Sequence, residues 1–143
     1  MLEEIIASFF LLALCVCIHA MGLTAMTHTL IHKKVGRHTH FMRQTWVLIC
    51  MAWWLVVLHI LEIGAWAAFY LWKGCLPDAE TAFYFSGVTY ATVGYGDVIL
   101  PKAWRMLSLF EGLTGILMCG LSTAFFFVVI LRILTPKAGK ALD

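Results

Sequence analysis

The densest chemical signal in this chain is the hexapeptide Thr92-Val93-Gly94-Tyr95-Gly96-Asp97. Glycine adopts backbone angles that other residues resist, so two glycines flanking a tyrosine let consecutive carbonyls point one way. Rings of such oxygens can replace the hydration shell of an ion such as K⁺. A second set of candidates is ionisable and falls inside apolar runs. His59 and Glu62 are three apart and share a helical face. His19 reaches a similar depth if the first two apolar segments pack antiparallel. Intramembrane ionisable groups are functional candidates by default. His19, His59 and Glu62 could sense pH, since histidine titrates near neutrality, or form a buried polar contact locking one helix to the next. His19 and His59 could also act as axial ligands in a small membrane haem or metal protein. Glu111 is a further costly acid, expected to hydrogen-bond the preceding half-helix or a neighbouring chain, or else to draw ions in. His28 and His32, four apart, could hold a metal with His38 and His40, or lie solvated at the interface.

These groups must be positioned by membrane-embedded elements. Of the 143 residues, 62% are hydrophobic and 13% charged, against about 25% charged in soluble domains. Three runs are long enough to cross a bilayer, which takes about 20 helical residues: Ile5 to Leu30, Trp46 to Trp72, and Trp104 to Leu134. The stretch from Ala79 to Ala91 is too short and reads as a re-entrant half-helix, with Asp78 as N-cap and Glu80 favouring its positive end. Glu3 and Glu4 precede the first run without a basic residue, which a signal peptide would carry. The organisation expected is an N-terminal helix with a basic connection (1–44), a second unit (45–135: helix 46–72, half-helix 79–91, loop 92–97, helix 104–134) and a short tail (136–143).

Basic residues gather at one set of helix ends, with Lys33, Lys34, Arg37 and Arg43 in the first connection and Arg132, Lys137 and Lys140 near the C-terminus. The positive-inside rule then puts the N-terminus and the glycine loop outside and the C-terminus in the cytoplasm of a multi-pass cell-membrane protein. Lys33, Lys34, Arg37 and Arg43 suit anionic lipid headgroups; their patches are too short to suggest nucleic acid. Of the five cysteines, Cys75 alone lies in the outer loop, as a free thiol or an intersubunit disulfide.

From Leu55 to Leu134 the sequence resembles the potassium-channel pore family, on the strength of TVGYGD between a short half-helix and a long apolar run. The resemblance implies an all-α tetrameric pore of four identical chains, each with three transmembrane helices, a pore half-helix and a filter. It implies K⁺ bound by the carbonyls of Thr92, Val93, Gly94 and Tyr95, with the Thr92 hydroxyl completing the innermost site and Gly96 at the mouth. Conduction would be passive, with no reaction on a substrate and no organic cofactor. Tyr95 would pack on the half-helix, and Tyr84 would bond Asp97 behind the mouth. Gly115 falls at the family's hinge position, where a gating bend and close helix packing both fit. Ile116, Cys119, Thr123 and Phe127 would face the cavity, Phe127 as a gate. The chain departs from the pattern at Val88, where some relatives carry an acid, and at Ala91, where many carry threonine. A weakly selective cation channel and a subunit needing a partner chain are the alternatives within the class.

Overall fold

The computed structural model describes residues 2–32 and 41–134, and among these every regular element is helical. In chain order they are α1 (Leu2–His32), α2 (Phe41–Trp72), α3 (Ala79–Tyr90), a single 3₁₀ turn (Lys102–Trp104) and α4 (Arg105–Leu134). Three of them, α1, α2 and α4, are long and apolar enough to cross a membrane. Lys33, Lys34, Arg37, His38 and His40 lie outside the described residues, as do Lys137 and Lys140.

The helix ends follow local chemistry. Asp78 caps α3, its Oδ1 accepting from the Thr81 N–H at 2.9 Å and its Oδ2 from the Thr81 hydroxyl at 2.8 Å. These bonds hold the Asp78 carboxyl below the usual carboxylate range. At the end of α2, Gly74 takes a left-handed φ of 64° while the Cys75 N–H bonds back to the Tyr70 carbonyl at 2.8 Å. Glycine is the residue that closes a helix this way at least cost. α2 begins at Phe41, five residues before the apolar run, because the helix continues past the hydrocarbon-length window; the Thr45 hydroxyl bonds the Phe41 carbonyl within it.

α1 packs against α4 and α2. Its buried residues are Glu4, Ser8, Leu11, Cys15, His19 and Gly22, one stripe at spacings of three and four in which every side chain but Leu11 is small or polar. The large apolar side chains Ile6, Phe9, Phe10 and Met21 face outward. Membrane helices associate through small residues because lipid already solvates the large ones. Gly22 illustrates this: a Cβ there would lie 2.3 Å from the Leu58 side chain, and its carbonyl accepts from the Trp54 indole at 3.0 Å. Lys73 at the end of α2 pairs with Glu3 at the start of α1, 2.7 Å apart, so these two ends and the loop after them share one side. Lys73 also sits over the rings of Trp72 and Trp104.

Candidate functional site

The segment after α3 turns sharply. Ala91 ends the helix, the Thr92 N–H bonds the Thr89 carbonyl at 2.9 Å, and the Val93 N–H bonds the Val88 carbonyl at 2.9 Å. Left-handed φ then recurs at every second residue: Thr92 at 58°, Gly94 at 55° and Gly96 at 78°. Reversing the sign of φ at alternate residues is a backbone route by which successive carbonyls can share a side, which an ordinary strand forbids. The two glycines accept this conformation freely. Thr92 does not, since a β-branched residue there is strained, and left-handed geometry costs an L-residue about 1–2 kcal/mol. Residues 91–97 are all exposed in the single chain.

Tyr84 on α3 reaches over this loop, and its hydroxyl donates to Asp97 Oδ2 at 2.7 Å. That bond is the main reason the Asp97 carboxyl lies below its ordinary range, and the Val98 N–H adds to it. Tyr95 is 72% exposed, so its ring is not braced by α3 of its own chain, contrary to the packing on the half-helix that the resemblance implied. Behind the loop runs a groove of about 520 Å³ between α3 and α4, lined by Val88, Thr92, Gly96, Leu109 and Ile116 among others.

Two buried polar circuits support α3 from behind. Toward the N-terminal end of α4, Glu111 accepts from the Tyr70 hydroxyl at 2.6 Å and meets the Ser86 hydroxyl, which also lies 2.9 Å from the Ile63 carbonyl. Ser86 has one proton for two acceptors. All three bonds are made when the Glu111 carboxyl carries its own proton and donates to Ser86. Of the roles expected for Glu111, its contacts fit bonding to the half-helix.

Deeper in the bundle, His19 Nδ1 lies 2.8 Å from Glu62 Oε1, and His59 Nδ1 lies 3.6 Å from Glu62 Oε2. The His19 and His59 rings are 5.4 Å apart at their centres. Tyr90 and Ser122 complete this cluster, Tyr90 donating to Glu62 and Ser122 meeting the Nε2 of both histidines. Neither residue drew notice in the sequence, because a lone Tyr and a lone Ser in apolar runs carry no spacing signal. The Ser122 hydroxyl engages both Nε2 atoms, the atoms that axial histidines would offer to a haem iron. Ligand atoms of His19, His59 and Glu62 do lie within 4.8 Å of one another, a donor set of the kind zinc takes. His28 and His32 bond one another directly, Nε2 to Nε2 at 3.0 Å, on an exposed face.

α4 runs unbroken from Arg105 to Leu134, and Gly115 is a packing residue in it. A Cβ on Gly115 would fall 1.9 Å from the Tyr90 carbonyl oxygen, so only glycine lets α4 approach the end of α3. Ile116, Cys119, Thr123 and Phe127 are all exposed on α4 in the single chain. Cys75 is a buried free thiol, pushed above its ordinary range by that burial, and so presents little surface for an intersubunit disulfide.

A re-entrant half-helix, a glycine-rich loop and two flanking membrane-length helices define a pore-forming membrane protein. The ion channel family profile matches residues 56–132, more than half of the chain, and the chain belongs to that family. Neither a curated protein nor a solved structure gave a match.

Proposed function

We propose that the chain is a K⁺-selective channel subunit, and that four identical copies surround one conduction path. The observation that carries this reading is the exposed loop from Thr92 to Gly96, with its left-handed φ at alternate residues. At membrane depth a non-helical backbone is tolerated only where protein or a water-filled path covers it. A single chain provides neither, whereas cyclic copies would bring the carbonyls of Thr92, Val93, Gly94 and Tyr95 around a dehydrated K⁺. The C-terminal end of α3, which carries partial negative charge, would favour a cation below them. In this arrangement Ile116, Cys119, Thr123 and Phe127 line the cavity, and four Phe127 rings can shut it by dewetting. The basic connection and C-terminus sit on the cytoplasmic side, where Arg43 and its neighbours meet anionic lipid.

The test is K⁺ flux through purified protein in liposomes, with Na⁺ substitution and Ba²⁺ block in the same preparation. Flux that Na⁺ cannot carry and Ba²⁺ abolishes is expected. Equal Na⁺ and K⁺ flux would replace this reading with a weakly selective pore, and a dimer or monomer by mass would exclude the four-copy arrangement.

A further inference from the structure

The deeper polar cluster is a closed loop of five hydrogen bonds joining all four helices. His19 Nδ1 meets Glu62 Oε1 at 2.8 Å. Glu62 Oε2 meets the Tyr90 hydroxyl. That hydroxyl lies 3.0 Å from His59 Nδ1. His59 Nε2 lies 3.0 Å from Ser122 Oγ, and Ser122 Oγ lies 3.1 Å from His19 Nε2, where the loop closes. Both nitrogens of each ring and both carboxyl oxygens are engaged.

Each bond needs one proton between its two heavy atoms. The phenol and the serine hydroxyl bring one apiece, two neutral imidazoles bring one apiece, and an ionised carboxylate brings none. The loop is then one proton short. In that state one contact sets lone pair against lone pair, and the cluster holds an uncompensated negative charge. His19, Glu62, Tyr90 and Ser122 are buried and only His59 is partly exposed, so such a charge is costly. Among the described residues, Cys15 on α1 and Cys119 on α4 also lie close enough to couple to Glu62 and Tyr90, and neither brings a positive charge.

We propose that this loop is a binding site for one proton, and that the bound proton holds the end of α3 in place. The proposal rests on the conduction reading only where it concerns flux. With the fifth proton present, either one imidazole is cationic beside an anionic Glu62, or the carboxyl is protonated beside two neutral rings. Both arrangements are net neutral with every bond made. Zinc suits the donor types, but a tetrahedral ion at about 2.0–2.1 Å from each ligand would hold N and O roughly 3.3 Å apart. The 2.8 Å separation of His19 and Glu62 is a hydrogen-bond distance. The consequence for the pore runs through Tyr90, the last residue of α3, two before Thr92. Its hydroxyl is tied to α2, and its carbonyl abuts Gly115 of α4. Losing the proton leaves one bond of the loop unmade, loosens Tyr90 and lowers flux.

The experiment is nitrogen and carbon magnetic resonance of histidine- and glutamate-labelled full-length protein in liposomes, titrated from mildly acid to alkaline buffer, with K⁺ flux on the same vesicles. The two imidazoles and the Glu62 carboxyl should together carry three protons, falling to two in a single step that coincides with loss of flux. Glu62→Gln supplies the missing proton from its amide, since the NH₂ donates to Tyr90 while the C=O accepts from His19. Tyr90 can then donate to His59, and the loop closes with neutral rings. This variant should show neither step. A count that stays at two throughout would overturn the site, as would stoichiometric Zn²⁺ shifting both imidazole resonances at fixed pH. A flux step that survives in Glu62→Gln would overturn the link to the pore. A normal proton step in a protein that passes no K⁺ at any pH supports the site and overturns the conduction reading instead.

Discussion

Glu111 and Glu62 are both fully buried carboxyls on membrane-length helices, and both bond side chains of α3, yet they are wired differently. The Glu111 circuit is a line. It starts at the Tyr70 hydroxyl, passes through the carboxyl and Ser86, and ends on the Ile63 carbonyl. A backbone carbonyl cannot titrate, so the line has one complete arrangement, with Glu111 neutral. The Glu62 circuit closes on itself through two imidazoles, so its fifth proton has several places to sit. Equal burial thus yields a fixed brace in one place and a titratable joint in the other. Connectivity makes the difference.

Deleting each carboxyl should separate the two circuits most strongly. Glu62→Ala leaves the His19 N–H without its acceptor, at about 1–3 kcal/mol, because the Tyr90 hydroxyl can turn to His59 Nδ1, 3.0 Å away. Glu111→Ala orphans only the Tyr70 hydroxyl, because Ser86 keeps the Ile63 carbonyl, and should cost roughly 1–3 kcal/mol. The losses are similar in size, so the circuits separate by thermal denaturation in detergent across pH: Glu62→Ala should lose an alkaline fall in melting point that Glu111→Ala keeps, and identical pH profiles would break the comparison.

The next effect concerns how α4 meets α3. Gly115→Ala drives a methyl group into the Tyr90 carbonyl and should cost about 1–3 kcal/mol through overpacking, with loss of flux. Gly120 has nothing within 4 Å, so Gly120→Ala should be neutral or gain up to about 1 kcal/mol of helix propensity. A Gly115→Ala protein of unchanged stability would show that this glycine serves bending rather than contact.

Smaller still are the isosteric changes. Glu111→Gln keeps all three bonds, its amide donating to Ser86 and its oxygen accepting from Tyr70, so its melting point should shift by less than about 1 kcal/mol equivalent. A large loss would mean that Glu111 is ionised in place and the line is not a neutral brace.

Least of all is the effect at the exposed loop. The depressed Asp97 carboxyl contributes stability that is present above its unfolded pKa and is lost as pH falls through the folded one. Tyr84→Phe removes the main cause of the depression, so it should flatten the acid limb of the stability profile and leave the neutral region nearly unchanged. An unaltered acid limb would mean that Asp97 is held by groups other than Tyr84.

The parts legible in the sequence were those encoded by near neighbours. Three apolar runs of bilayer length, a capping aspartate and two spaced glycines all act within a few residues, and the helices appear where that chemistry puts them. Tyr84 and Asp97, thirteen residues apart, were paired by resemblance, and the structure brings them to 2.7 Å. The meeting of His19 with Glu62 was expected only as shared depth; its Nδ1–Oε1 bond depends on how α1 is rotated.

What the sequence by itself determined is the class of protein, since lipid solvates apolar runs regardless of their partners, and a glycine's freedom belongs to the residue alone. The tertiary structure alone decided that Ser122 would sit between two histidines, 103 and 63 residues away, that Ser86 and Tyr70 would share Glu111, and that Gly115 would meet a carbonyl. A hydrogen bond needs two atoms within about 3 Å, and that depends on the relative rotation and depth of whole helices. No local spacing records either quantity, because both are set by how small and polar stripes on different helices pack together.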